Sequence, residues 1–300
     1  MTDDLRPRRS VLYMPAANDR ALEKARTIPA DAIIFDLEDA VAPDAKPAAR
    51  DKAVAAVRSG MYGNRERTIR CNGLDTQWGS DDVTAAAGAR PAAVVIPKVD
   101  SVEYVDRVAA LLDAAGATEV MIWPMIETPA AIFEVRAIAA HPRVPVLVMG
   151  TNDLAKELRA PLVPGRHPLV PHLATALLAA RAAGKVILDG VYNDVKNPEG
   201  FEAECRQGME MGFDGKTLIH PSQVDPANDT WAPSAEDVEY AERVIAAFDE
   251  AVADGRGVVT VDGRMIENLH VDNARRVLAI AAAIAALGER EAAEPFTPGV

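Results

Sequence analysis

Eight short apolar runs, rich in Val and Ile and separated by stretches of helical periodicity, constrain this chain more than any other feature. They are "SVLYMPA" (10–16), "DAIIFDLE" (31–38), "RTIRCN" (67–72), "AAVVIPK" (92–98), "EVMIWPMIE" (119–127), "VPVLVMG" (144–150), "KVILDGVY" (185–192) and "DGKTLIH" (214–220). Each is continuous rather than alternating, the pattern of parallel strands buried on both faces. Between them, segments such as "SVEYVDRVAALLDAAG" (101–116) and "AAIFEVRAIAAH" (130–141) place apolar residues at helical spacing. Eight strand-then-helix units predict an α/β fold of the (β/α)8 TIM-barrel type, because a doubly wound sheet usually stops at about five or six strands.

The barrel is expected over residues 1–222, with a C-terminal extension over 223–300. That extension opens with "PSQVDPANDTWAPS" (221–234), read as a Pro-rich connector, and continues with a helix over 235–255. "GRMIENLH" (263–270) reads as a short polar turn ending in Glu267, with an Ala-rich helix after it. A chain of 300 residues with 49% hydrophobic content can bury one large core. Its net charge of −13 argues against a nucleic-acid or anionic-membrane partner, either of which needs a broad basic patch. No apolar leader and no run of about 18 apolar residues is visible, so a soluble protein is expected. Cys71 and Cys205 stand far apart in sequence, which fits a reduced cytoplasm better than a disulfide framework.

Barrel active sites form at the C-terminal ends of the strands. Those ends read Asp36, Glu38 and Asp39; Arg70 and Asn72; Lys98; Glu127; Asn152 and Asp153; Asp189, Tyr192 and Asn193; and His220. Glu127 and Asp153 come from neighbouring strands, so their carboxylates can converge on Mg²⁺, which takes one or two carboxylates and fills its octahedron with other oxygens. The competing reading is that each caps the helix after it, in "ETPAA" and "NDLAKEL". No His or Cys cluster speaks for Zn²⁺. Arg70 can grip a carboxylate or thioester oxygen in two-pronged fashion, or it can be tied up in an ion pair with Asp36 or Glu38. Glu38 and Asp39 can orient Arg70 or a metal-bound water, or serve as helix cap and first-turn acid. Asn18, Arg20 and Lys24 cluster in "AANDRALEKA" and can meet a phosphorylated ligand or simply form a solvated helix face. His220, before Pro221, marks a strand end. Neither a phosphate-binding glycine loop nor a GxSxG elbow occurs.

Taken together, "RRSVLYMPAAN", "IIFDLEDAVAPDAK", "RCNGLDT", "VIPKV", "MIETP", "GTNDLAKEL", "DGVYND" and "GFDGKTLIHPSQV" resemble the citrate lyase β-subunit-like family of CoA-thioester enzymes, in order from about residue 8 to 280. The resemblance implies a TIM barrel assembled as a homo-oligomer, trimer or hexamer, with the C-terminal segment capping a neighbouring subunit's site. It implies Mg²⁺, with Mn²⁺ as the alternative ion, on Glu127 and Asp153, and Arg70 as the substrate arginine. CoA contacts fall at Tyr13, Asn18, Lys24, Ile219 and His220, with Asn152 beside the metal site. The substrate class implied is the CoA thioester of a small 3-hydroxy dicarboxylic acid.

One motif departs from the family. Members that make or break C–C bonds carry "MVDKP" where this chain reads "MIENLH", so Glu267 replaces the Asp that transfers a proton in the adjacent site. One extra methylene moves a carboxylate by on the order of 1 Å, enough to cost about 10²-fold in rate. "GTNDLAKEL" with "ENLH" is most similar to the branch of the family that hydrolyses (3S)-malyl-CoA. C–C cleavage of malyl-, methylmalyl-, citramalyl- or citryl-CoA is the alternative. "PAAN" also replaces the more usual "PGS" of the first loop, at the CoA contacts.

Overall fold

The eight apolar runs become eight strands: β1 (Ser10–Pro15), β2 (Ala32–Asp36), β3 (Glu66–Arg70), β4 (Ala93–Ile96), β5 (Met121–Ile126), β6 (Val146–Met149), β7 (Val186–Asp189) and β8 (Gly215–Leu218). In this computed structural model, which describes residues 5–293, they pair in parallel in chain order, and β8 returns to β1 to close a barrel. Helices α1 (Asp19–Ala25), α2 (Lys46–Arg58), α3 (Gly79–Ala89), α4 (Val102–Ala114) and α5 (Pro129–Ala140) follow the first five strands singly. Two helices, α6 (Thr151–Leu158) and α7 (Val170–Ala182), follow β6, and α8 (Pro198–Met211) follows β7. The chain thus forms the expected (β/α)8 TIM barrel.

Most strand residues are buried because both faces of the barrel wall are covered. Inward residues such as Val11, Ile34, Val95, Trp123, Met125, Val148 and Leu188 fill the barrel, while the helices cover its outside. Register decides which polar residues meet. Asp36 pairs with Arg70 between β2 and β3, Ile126 with Met149 between β5 and β6, and Asp189 with Lys216 between β7 and β8.

The last of these pairs is fully buried. Lys216 Nζ lies 3.0 Å from Asp189 and 2.8 Å from Glu204, and Arg166 Nη1 lies 2.7 Å from Asp189. Burial alone would push the Asp189 carboxyl up, but Lys216 and Arg166 hold it below its usual value. Removing Asp189 leaves two buried cations, Lys216 and Arg166, facing only Glu204, so one buried positive charge is uncompensated. Asp189→Ala is therefore expected to cost about 3–5 kcal/mol in a urea titration. A loss below about 1 kcal/mol would show that the cluster is not held together by its charges.

The segment expected to be a connector is helical in part. A 3₁₀ turn (Pro221–Gln223) runs into α9 (Val224–Trp231). Pro226 falls in the first turn of α9, where its missing N–H costs nothing. Asn228 accepts from Ser10 at 2.7 Å and donates to Pro29 at 2.9 Å.

The chain divides into two compact units, Arg8–Thr230 and the residues from Trp231 on together with those before Arg8. In the second unit, α10 (Ala235–Ala253) starts with a capping box in which Ser234 and Asp237 exchange hydrogen bonds. The stretch read as a polar turn is instead a β-hairpin: β9 (Val259–Val261) pairs antiparallel with β10 (Arg264–Ile266). Asp262 and Gly263 form the turn with φ of 49° and 76°, the left-handed pair that a two-residue hairpin demands. The last described element of the unit is α11 (Asn268–Ala293), and Val244, Phe248, Val261, Ile266, Val271 and Ala274 make a small core of its own. Among the described residues, no helix is long and apolar enough to cross a membrane.

Candidate active site

Six of the expected site residues, Tyr13, Arg70, Glu127, Asn152, Asp153 and Ile219, line one cavity of about 330 Å³ at the C-terminal ends of the strands. Asn18, Lys24 and His220 do not line it. Asn18 caps α1, accepting the Ala21 N–H at 3.1 Å, and Lys24 is exposed in the last turn of the same helix. His220 caps the 3₁₀ turn after β8 through Ser222. Glu267 belongs to the C-terminal unit, where it stands exposed between β10 and α11 and donates its N–H to His270 Nδ1 at 3.1 Å.

The register that sets Asp36 beside Arg70 gives a two-pronged ion pair: Nε and Nη2 lie 2.6 and 2.7 Å from the two Asp36 oxygens. Nη1 lies 2.6 Å from Glu38, and the guanidinium stacks 4.7 Å from the centre of the Tyr13 ring. Burial works against the Arg70 charge, but Asp36 and Glu38 raise its pKa well above the usual value, so it is cationic at every working pH. Asp36 also accepts the N–H of Glu38 at 2.9 Å and of Ala40 at 3.3 Å. It is therefore Asp36, not Glu38 or Asp39, that holds the turn after β2. Burial pushes the Glu38 carboxyl up to about 7 even with Arg70 beside it.

Glu127 is 2% exposed and does not cap α5; Thr128 does, accepting the Ala131 N–H at 3.0 Å. Its Oε1 accepts instead from the backbone N–H of Lys98 at 2.7 Å. Burial first, and then the neighbouring Glu38 charge, push Glu127 from 4.5 up to about 8. Asp153 sits in the first turn of α6, whose cap position is Gly150 with no side chain to offer. The helix-cap reading of both carboxylates thus fails on geometry.

Asp36, Glu38, Asp39, Glu127 and Asp153 put five carboxylates at this mouth, against the cations of Arg70 and Lys98. Such a surplus around a buried carboxylate is the environment in which a divalent cation relieves repulsion. No group of three or more His, Cys, Asp or Glu that could hold a metal occurs among the described residues. A cation on Glu127 and Asp153 would therefore complete its shell with water or substrate oxygens, which fits Mg²⁺.

Two participants were not assigned a role from the sequence. Lys98 was recognised as a strand end, but its backbone adopts the left-handed φ of 51° that turns its N–H onto Glu127. Gly150 lies one step past the Ile126–Met149 register pair, and a Cβ there would collide with Glu127 Oε2. Gly150→Ala is accordingly expected to displace the carboxylate and weaken divalent-cation binding there by about 10–100-fold, the loss typical when a ligand's support is disturbed. Metal titrations of variant and parent check this; an unchanged midpoint would remove Glu127 from the site.

Comparison with known proteins follows the same residues. The model of the HpcH/HpaI aldolase/citrate lyase family matches residues 9–221. The chain belongs to the HpcH/HpaI aldolase/citrate lyase family. A second model, a C–C bond lyase of the TIM-barrel fold, matches residues 166–285. A (3S)-malyl-CoA thioesterase of Cereibacter sphaeroides is 51% identical over 96% of this chain and 99% of its own. Citrate lyase subunit beta of Escherichia coli is 35% identical over 91% of this chain and 93% of its own. Among solved structures, the CitE protein of Mycobacterium tuberculosis in complex with magnesium, acetoacetate and coenzyme A has a TM-score of 0.75 at 30% identity, covering 91% of this chain and 97% of that one.

Proposed function

We propose that this member of the HpcH/HpaI aldolase/citrate lyase family hydrolyses (3S)-malyl-CoA to (S)-malate and free CoA in a Mg²⁺-dependent reaction. The full-length 51% identity to a (3S)-malyl-CoA thioesterase carries the substrate, and the convergence of Arg70, Glu127 and Asp153 on one cavity supports the chemistry. Glu127 and Asp153 would hold the ion. When bound there, the ion would supply Lewis-acid charge to substrate oxygens.

Arg70 and nearby backbone N–H groups stabilise the negative charge that grows on the thioester oxygen as water adds. Asp36 and Glu38 hold the guanidinium in place, so little reorganisation is needed as charge develops. Glu267, brought by a neighbouring subunit of a homo-oligomer, takes the proton of the attacking water. The tetrahedral intermediate then expels the CoA thiolate and leaves malate. Tyr13 and Ile219 line the cavity on the side where β8 meets β1, and there they flank the thioester end of the substrate.

The rival reaction is C–C cleavage to glyoxylate and acetyl-CoA, for which the 35% identity to citrate lyase subunit beta speaks. A subunit-mixing experiment tests the proposed architecture. Glu267→Ala and Arg70→Ala homo-oligomers are each expected to be nearly inactive, and their mixture, after exchange of subunits, to regain thiol release. Full activity in Glu267→Ala alone would remove Glu267 from the reaction.

A further inference from the structure

The stretch "IENLHV" (266–271) joins β10 to α11 through a set of helix-start contacts. Glu267 stands at the cap position, where its carbonyl already accepts the N–H of His270 at 2.9 Å and of Val271 at 3.3 Å. The residue before it, Ile266, and the fourth residue of the helix, Val271, are each 1% exposed and belong to the same small core. An apolar pair at those two positions staples the incoming strand to the first helical turn. From the third helical position His270 reaches back, and its Nδ1 accepts the Glu267 N–H at 3.1 Å. Glu or Gln makes that bond in the usual capping box. An imidazole makes it only with its proton on Nε2.

Only half of the box is present. At the start of α10, Ser234 accepts the Asp237 N–H at 3.1 Å and Asp237 accepts the Ser234 N–H at 3.0 Å, so both side chains are engaged. At the start of α11 the return bond from His270 is made, but the cap residue is a Glu, one methylene longer than the residues that cap with their own side chains. Glu267 is exposed, and it is its backbone N–H, not its carboxylate, that takes part in the cap. Its main chain is therefore fixed from both sides while its carboxylate stays free of the helix. A general base needs that combination, a carboxylate available to a substrate on a backbone that holds still.

We infer that His270 is a positioning residue for the reaction: by taking the Glu267 N–H it sets the direction in which the Glu267 carboxylate leaves the junction of hairpin and helix. The inference rests on the proposed reading, in which Glu267 takes a proton in a neighbouring subunit's site. His270 touches no reacting atom and acts through Glu267 alone. The staple of Ile266 and Val271 stays in place whatever stands at 270, but without an acceptor there the Glu267 N–H is orphaned and the first turn loosens. A misplacement of about 1 Å is enough to cost about 10²-fold in rate.

The test uses the full-length oligomer with (3S)-malyl-CoA and Mg²⁺, following thiol and glyoxylate together. His270→Leu removes the acceptor while keeping a good helix former, and His270→Gln puts back an acceptor suited to that position. His270→Leu is expected to lower kcat by about 10–100-fold, with KM within about twofold of the parent and Tm down by no more than about 4 °C. His270→Gln is expected to bring kcat back to within about threefold of the parent. In a Glu267→Ala background, His270→Leu is expected to change the residual rate by less than about twofold, because no carboxylate is left to position. Parent-like kcat in His270→Leu, an equal loss in His270→Gln, or a further large fall in the double variant would overturn the positioning role and leave Glu267 as the base. Full activity in Glu267→Ala would overturn both. The expected pattern read on glyoxylate instead of thiol would uphold His270 and overturn hydrolysis.

Discussion

Glu127→Gln is expected to silence the enzyme and, at the same time, to stabilise the metal-free fold at alkaline pH. The folded chain holds a proton on Glu127 up to about pH 8, whereas an unfolded carboxyl gives it up near 4.5. A pKa raised on folding contributes stability that is fully present below 4.5 and is lost as pH rises through about 8. Above that pH the parent carries a buried anion beside Glu38, and Gln does not. Gln can still accept the Lys98 N–H, so the turn after β4 is kept. The variant should therefore gain about 5 °C or more in Tm over the metal-free parent at pH 9, and nothing at pH 4.5. Saturating Mg²⁺ should stabilise the parent by about 3 kcal/mol at a hundred times its Kd and leave the variant unmoved. Loss of more than about 10²-fold in kcat/KM is expected, since disturbing even a ligand's support costs that much. A lower Tm at pH 9, or a retained Mg²⁺ shift, would contradict the assignment of Glu127.

Arg70 variants are expected to lose both activity and stability, in proportions that separate its two roles. Arg70→Lys keeps a cation near Asp36 and Glu38 but loses the fork that spans both Asp36 oxygens and reaches Glu38. Thiol release should fall by about 10²–10³-fold, the usual cost of removing one donor from a developing oxyanion, while stability falls modestly. Arg70→Met removes the charge and leaves Asp36 and Glu38 unpaired, at a cost of about 3–5 kcal/mol. Denaturant titration and steady-state kinetics on the two variants read these effects apart. Near-normal turnover in Arg70→Lys would mean that Arg70 only supports the fold.

Much of the fold was legible because its cause is local. Most strands carry a short run of Val, Ile, Leu or Met, which two-sided burial requires, and all eight runs became strands. Caps were less legible: Glu127 and Asp153 stood where helix caps stand, but Thr128 and Gly150 occupy those positions. The hairpin around Asp262 and Gly263 carries its own signal, an Asp-Gly pair between "VTV" and "RMI", which the polar flank running to Glu267 obscures. α9 was hidden by Pro226, which reads as a breaker unless its place in the first turn is known.

In the candidate site, charged strand ends were visible because side chains of their type are costly inside a barrel. What escaped was set by tertiary contact. The left-handed turn at Lys98 and the space that Gly150 leaves for Glu127 both depend on register between strands. Asn193, a strand-end residue in the sequence, lines the cavity as its place suggests, whereas Thr217, inside β8, is brought there by the neighbouring strands with no local pattern to mark it. The proposed arrival of Glu267 from another subunit rests on motif alone, and subunit mixing tests it.

Hydrolysis, as against C–C cleavage, is decided most directly by following both products of (3S)-malyl-CoA in one reaction with Mg²⁺, with a chelated control. Free thiol rising with malate, no glyoxylate, and silence on addition of EDTA is the predicted result. Glyoxylate and acetyl-CoA appearing with little free thiol would contradict it and show that Glu267 does the work of the aspartate it replaces.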